Sequence, residues 1–178
     1  METRVRQLKL GADLVRYREA GAGPAVVLVH GLGLSSRSWV TALEALARAG
    51  LRAVAPDLPG FGGSGGRRGM GVGRTAEWLL ALADALGLER PSWVGHSISC
   101  QAVIALASEW PHRARSLVLA SPTGGPRRLR RLHQVIGLVR DLGREPRSVF
   151  FAVAREYVHA SRSEEHTSEL QSHLNLVC

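Results

Sequence analysis

The apolar positions change period several times along the chain, and each change marks an element. VRQLKL (5–10) and DLVRYREAG (13–21) alternate apolar and polar residues, the pattern of a half-buried antiparallel hairpin. AVVLVHG (25–31) is a continuous apolar run rich in β-branched residues, which predicts a strand buried on both faces. In SSRSWVTALEALARAG (35–50), Trp39, Leu43, Leu46 and Ala47 fall at helical spacing, with Ser36 or Ser38 as N-cap and Gly50 as the stop. LRAVAPD (51–57) predicts the next buried strand, and a glycine-rich loop from Gly60 to Gly73 leads into a helix over 74–88 that ends near Gly87. PSWVGHS (91–97) predicts a third buried strand, Ile98–Glu109 a helix that ends before Pro111, and ARSLVLASP (114–122) a fourth strand.

Strands and helices in alternation predict an α/β fold, a mostly parallel sheet with helices on both faces. In such sheets ligands gather where the chain leaves each strand for the following helix. The strand exits are therefore where chemistry is to be sought.

Composition narrows the class. The 178 residues are 45% apolar and 21% charged, ordinary for a globular domain, and no run approaches the roughly 18 apolar residues of a membrane span. The first residues carry charges where a signal peptide needs an apolar block. Two cysteines, Cys100 and Cys178, exclude a disulfide framework and fit a reducing compartment, so a cytoplasmic location is expected. The net charge of +8 rests almost wholly on arginine, with Lys9 the single lysine, a bias that reflects coding composition more readily than an anionic partner. Neither nucleic acid nor membrane is expected as a partner, and no metal or other cofactor.

The most telling exit follows PSWV. Gly95-His96-Ser97-Ile98-Ser99 lies between a buried strand and a helix, the context of a nucleophile elbow, where a tight turn lifts a serine hydroxyl above the sheet. It matches four of the five positions of G-x-S-x-G, with Ser99 in place of the final glycine. The plainer reading makes Ser97 a helix N-cap. A second exit, His30-Gly31-Leu32-Gly33, directly follows AVVLV, and a third, Pro56-Asp57-Leu58-Pro59-Gly60-Phe61-Gly62-Gly63-Ser64, follows the next strand.

Together these motifs make residues 5–126 resemble the α/β-hydrolase family, with the HG-x motif, the D-x-x-G-x-G-x-S loop and the elbow in the family's order. The resemblance implies a serine hydrolase acting on a small molecule by acyl-enzyme chemistry. Ser97 would be the nucleophile, and the backbone amides of Leu32 and Ile98 would form the oxyanion hole. His30, Gly31, Gly33, Gly95 and His96 would support the motifs, His30 as a structural histidine bracing its loop. The Asp57 loop would support the site without taking part in catalysis.

Beyond Pro126, Leu129, Leu132, Ile136 and Val139 share one face of an amphipathic helix that also bears Arg127, Arg128, Arg131 and Arg140, and a second helix follows Pro146. The resemblance places the start of a helical cap here, over 127–161. A serine nucleophile needs a carboxylate and then a histidine later in the chain. Asp141 or Glu145 followed by His159 meets that order, but these residues fall in the expected cap helices, whereas the family places acid and histidine in loops after later strands. His166 and His173 belong to a different segment. Arg162–Ser172, RSEEHTSELQS, resembles the translation of a common short-read sequencing adapter, so 162–178 is expected to be a non-native tail. The acid and histidine are accordingly expected to be missing from this chain, together with roughly 100 residues at about 30 per crossover unit. The chain as it stands is expected to be an inactive fragment with an exposed sheet edge.

Two other classes remain open. In a dinucleotide-binding reading, Gly31-Leu32-Gly33 would cradle a pyrophosphate and Asp57 would hold a ribose, although Ser36 replaces the last glycine of that fingerprint. In the other, the same fold serves as a non-catalytic receptor or scaffold.

Overall fold

The computed structural model describes residues 2–123. Residues 1–123 form one compact unit. The expected cap helices, Asp141, Glu145, His159, His166, His173 and the adapter-like tail all lie outside the described residues.

Six strands and three helices alternate: β1 (Arg4–Leu10), β2 (Asp13–Ala20), β3 (Ala25–Val29), α1 (Val40–Arg48), β4 (Arg52–Pro56), α2 (Val72–Ala85), β5 (Ser92–His96), α3 (Ser99–Glu109) and β6 (Ser116–Ala120). The sheet order is β1-β2-β4-β3-β5-β6. β1, β2 and β4 pair antiparallel, while β4, β3, β5 and β6 run parallel. The sequence order thus departs from the spatial order, and β3 lies at the centre between β4 and β5.

Alternation along the strands sends side chains to two cores, one on each face of the sheet. Val26 and Leu28 of β3 and Ala53 and Ala55 of β4 meet Leu43 and Ala47 of α1. Val27, Val29, Val54 and Trp93 face Leu79 and Ala83 of α2 together with Val103 and Leu106 of α3. This two-sided burial is why β3 reads as an unbroken apolar run. β1 is an edge strand, and it is more exposed than a half-buried hairpin would be, with Val5 about half accessible.

The helix starts differ from the sequence expectation. The segment before α1 first makes a 3₁₀ turn over Ser36–Trp39, and the capping side chain is Ser35, whose Oγ accepts from Arg37 N–H at 3.4 Å. Neither Ser36 nor Ser38 takes that part. Ser36 is instead buried with its amide directed at Asp57, and Ser38 Oγ donates to Ser35 O at 2.8 Å. α2 begins at Val72, two residues ahead of the expected start, after Gly71 in extended conformation.

Candidate active site

β5 ends at His96, and the chain turns directly into α3. Ser97 occupies the turn with φ 54°, in the left-handed region that an L-residue adopts only where its surroundings hold it there. Strand and helix come too close for any side chain at Gly95, whose Cβ would stand 2.7 Å from Val103 Cγ2 and 2.9 Å from Cys100 Cα. The turn is tied on several sides. Ser97 N–H donates to Ala120 O at the end of β6 (2.9 Å), Cys100 N–H donates to Ser97 O (3.1 Å), and Ser99 Oγ donates to His30 O (2.5 Å). The buried Cys100 thiol donates to Gly95 O at 3.2 Å, and burial pushes its pKa up, which keeps it a neutral donor. Ser97 itself is half-buried, and its hydroxyl has no hydrogen-bond partner among the described residues.

The exit of β3 lies against this turn. Val29 is level with Gly95 in the parallel ladder, so the next residues of both strands leave the sheet side by side. A Cβ at Gly31 would sit 2.8 Å from His96 Nδ1 and 3.2 Å from Ser97 Cβ. Only glycine therefore lets the loop pass the serine. Leu34 N–H then closes a turn onto Gly31 O (3.3 Å), with Gly33 at φ 74° and Leu32 exposed. The amides of Leu32 and Ile98 have no acceptor among the described residues.

His30 is fully buried, and both ring nitrogens engage backbone. Leu58 N–H donates to Nε2 at 3.0 Å, which makes Nε2 the acceptor and leaves Nδ1–H to donate to Gly31 O at 2.8 Å. The Phe61 ring meets the imidazole edge-on at 5.7 Å. His30 thus links the exits of β3 and β4.

Asp57, at the exit of β4, is also buried. Its Oδ1 accepts from Ser36 N–H (2.7 Å) and its Oδ2 from Gly63 N–H (2.9 Å), while Ser64 Oγ donates to its carbonyl (2.8 Å). Both carboxylate oxygens are turned inward to the loop amides and the residue is about 1% exposed, so a ribose does not reach Asp57. The dinucleotide reading loses its acidic ligand on this geometry.

Several relationships near the serine have no signature in the sequence. Trp39 packs edge-on against His96 with ring centroids 6.2 Å apart, and its buried Nε1 has no partner among the described residues. Ser121, at the exit of β6, shares the left-handed backbone of Ser97 with φ 49°. These are the two non-glycine residues with positive φ among those described. His112 stands on a 3₁₀ turn beyond the carboxyl end of α3, the opposite end of that helix from Ser97. The described residues also form an open groove lined by Ala25, Arg52, Glu89 and Pro91 at the amino ends of the strands, away from every motif. Among the described residues no helix is long and apolar enough to cross a membrane.

A family model described as alpha/beta hydrolase fold matches residues 24–173. The chain belongs to the α/β-hydrolase fold family. It is 36% identical over 134 residues to a 2-hydroxy-6-oxononadienedioate/2-hydroxy-6-oxononatrienedioate hydrolase of Paraburkholderia phymatum, covering 68% of this chain and 45% of that protein. Over 125 residues it is 37% identical to a 2-hydroxy-6-oxo-2,4-heptadienoate hydrolase of Pseudomonas putida, covering 67% of this chain and 45% of the relative. Among solved structures, an epoxide hydrolase from Vigna radiata superposes with a TM-score of 0.66 at 27% identity, covering 77% of this chain and 46% of that one. The chain thus spans less than half the length of these α/β-hydrolase relatives.

Proposed function

We propose that this α/β-hydrolase chain carries the nucleophile and oxyanion hole of a serine hydrolase acting on a small-molecule carbonyl compound. The observation that carries the proposal is Ser97, held at φ 54° beside Gly31 with its hydroxyl unengaged among the described residues. Ser97 Oγ bonds to the carbonyl carbon and passes its proton to a base. The amides of Leu32 and Ile98 hold the resulting oxyanion, which collapses with loss of the leaving group as that group takes up the proton. Water then attacks the acyl carbon, gives a proton to the base and restores Ser97.

The base does not come from the described histidines in this reading. His30 has both nitrogens engaged, the His96 ring is packed edge-on against Trp39 at the end of β5, and His112 lies at the wrong end of α3. The base and its orienting acid are assigned to chain outside the described residues. Two relatives named for 2-hydroxy-6-oxo substrates favour a bond next to a ketone as the one hydrolysed, with esters sharing the same tetrahedral chemistry.

The test is covalent labelling of the full-length protein with a fluorophosphonate. Modification at Ser97, absent in Ser97→Ala, is the expected result. A folded protein that is not labelled would favour the non-catalytic member of the fold.

A further inference from the structure

Ser99 stands where G-x-S-x-G has its last glycine, and its side chain has a definite partner. The residue is 4% exposed, and its hydroxyl donates to the carbonyl of His30, 69 residues earlier, at 2.5 Å. Ile98 immediately precedes Ser99, and Leu32 follows His30 by two residues. The bond therefore joins the two backbone segments that present the proposed oxyanion donors, at a point adjacent to each.

We propose that Ser99 is a positioning residue that fixes the spacing of the Leu32 and Ile98 amides. This inference rests on the serine-hydrolase reading above. An oxyanion hole works because its donors are already in place when charge develops, so the separation of the two amides must be held before reaction. Here the two amides lie on different strand exits that leave the β3–β5 ladder side by side, and two contacts beyond the ladder bear on their separation. Gly31 packs against His96 and Ser97, which limits how near they come. The Ser99 hydroxyl limits how far apart they move, in a buried setting where water does not compete for its hydrogen bond. A glycine at this position has no hydroxyl to give, so the tie is specific to the serine.

The experiment follows fluorophosphonate labelling of the full-length wild type, Ser99→Ala, Ser99→Gly and Ser97→Ala, resolved into reversible affinity and the bond-forming step. In that step the Ser97 Oγ–P bond forms, fluoride leaves and the hydroxyl proton passes to the base. Ser99→Gly installs the motif's own glycine, so it serves as a second variant if Ser99→Ala does not fold. The expected result is a bond-forming rate about tenfold lower in the Ser99 variants with unchanged affinity, a smaller effect than deleting a donor outright, which costs about 100-fold or more. Faster amide hydrogen exchange at Leu34 and Cys100, whose N–H groups close the two turns onto Gly31 O and Ser97 O, is expected alongside, a readout that a purely packing role elsewhere in α3 would not move. Wild-type labelling and exchange rates in folded Ser99 variants would overturn the positioning role while leaving Ser97 as the nucleophile. Absence of labelling in the wild type would overturn both readings together.

Discussion

The carboxylate of Asp57 fills the space into which a side chain at Gly62 would grow. A Cβ on Gly62 would fall on Asp57 Oδ2, and the glycine also sits at φ +58°. Backbone conformation and space thus demand glycine independently. Gly62→Ala combines a left-handed L-residue, costing about 1–2 kcal/mol, with overpacking of about 1–3 kcal/mol. A fall in stability of about 3 kcal/mol in urea unfolding is expected, and a change below about 1 kcal/mol would refute the geometry.

Asp57→Ala strips the acceptors from the amides of Ser36 and Gly63. The buried Ser36 donor left without a partner costs about 1–3 kcal/mol, while the part-buried Gly63 amide can turn to water, so a loss of about 1–3 kcal/mol is expected. Labelling of Ser97 should survive wherever the variant remains folded, because Asp57 shapes the loop and touches no reacting atom.

Gly31→Ala tests the other close approach. Its new methyl would stand 3.2 Å from Ser97 Cβ and 2.8 Å from His96 Nδ1, tight contacts that move the turn more readily than they unfold the sheet. The expected outcome is a melting temperature within several degrees of wild type, together with fluorophosphonate labelling at least about tenfold slower. Unimpaired labelling would show that the loop gives way without disturbing the serine.

Cys100 is fully buried, and its thiol pKa is raised by that burial, so the reactive thiolate is scarce. In a Cys178→Ser background, reaction with a thiol reagent at neutral pH should be slow in the native protein and fast in denaturant. Rapid native labelling would contradict the packing between β5 and α3.

Tyr17 titrates above its ordinary value of 10.0, first because burial disfavours the phenolate and second because Glu19 is nearby. The folded state thus holds this proton more tightly than the unfolded chain. The stability it contributes is complete below the unfolded value and is lost as pH rises through the folded one. Melting temperature should therefore fall as pH climbs past about 10. Tyr17→Phe should flatten that alkaline decline, and an identical decline in both proteins would remove Tyr17 as its source.

Strand and helix positions were legible in the sequence because burial on a sheet or against a helix imposes a period on the residues themselves. Val26 to Val29 read as a doubly buried strand, and Leu43 with Ala47 read as one face of a helix, from spacing alone. The exits carrying His30-Gly31 and Gly95-His96-Ser97 were legible for a related reason, since tight turns and close backbone approach restrict which residues fit. The partners of those residues were not legible. The bond from Ser99 to His30, the carboxylate of Asp57 between Ser36 and Gly63, and the edge of Trp39 against His96 join points far apart in the chain. Local periodicity carries no information about such pairs, because they arise only when parallel pairing brings β3, β4 and β5 level at their carboxyl ends. Sequence determined the elements and the glycines that each turn requires. Tertiary structure alone decided which turns touch, because strand order and register, which no local pattern encodes, set those distances.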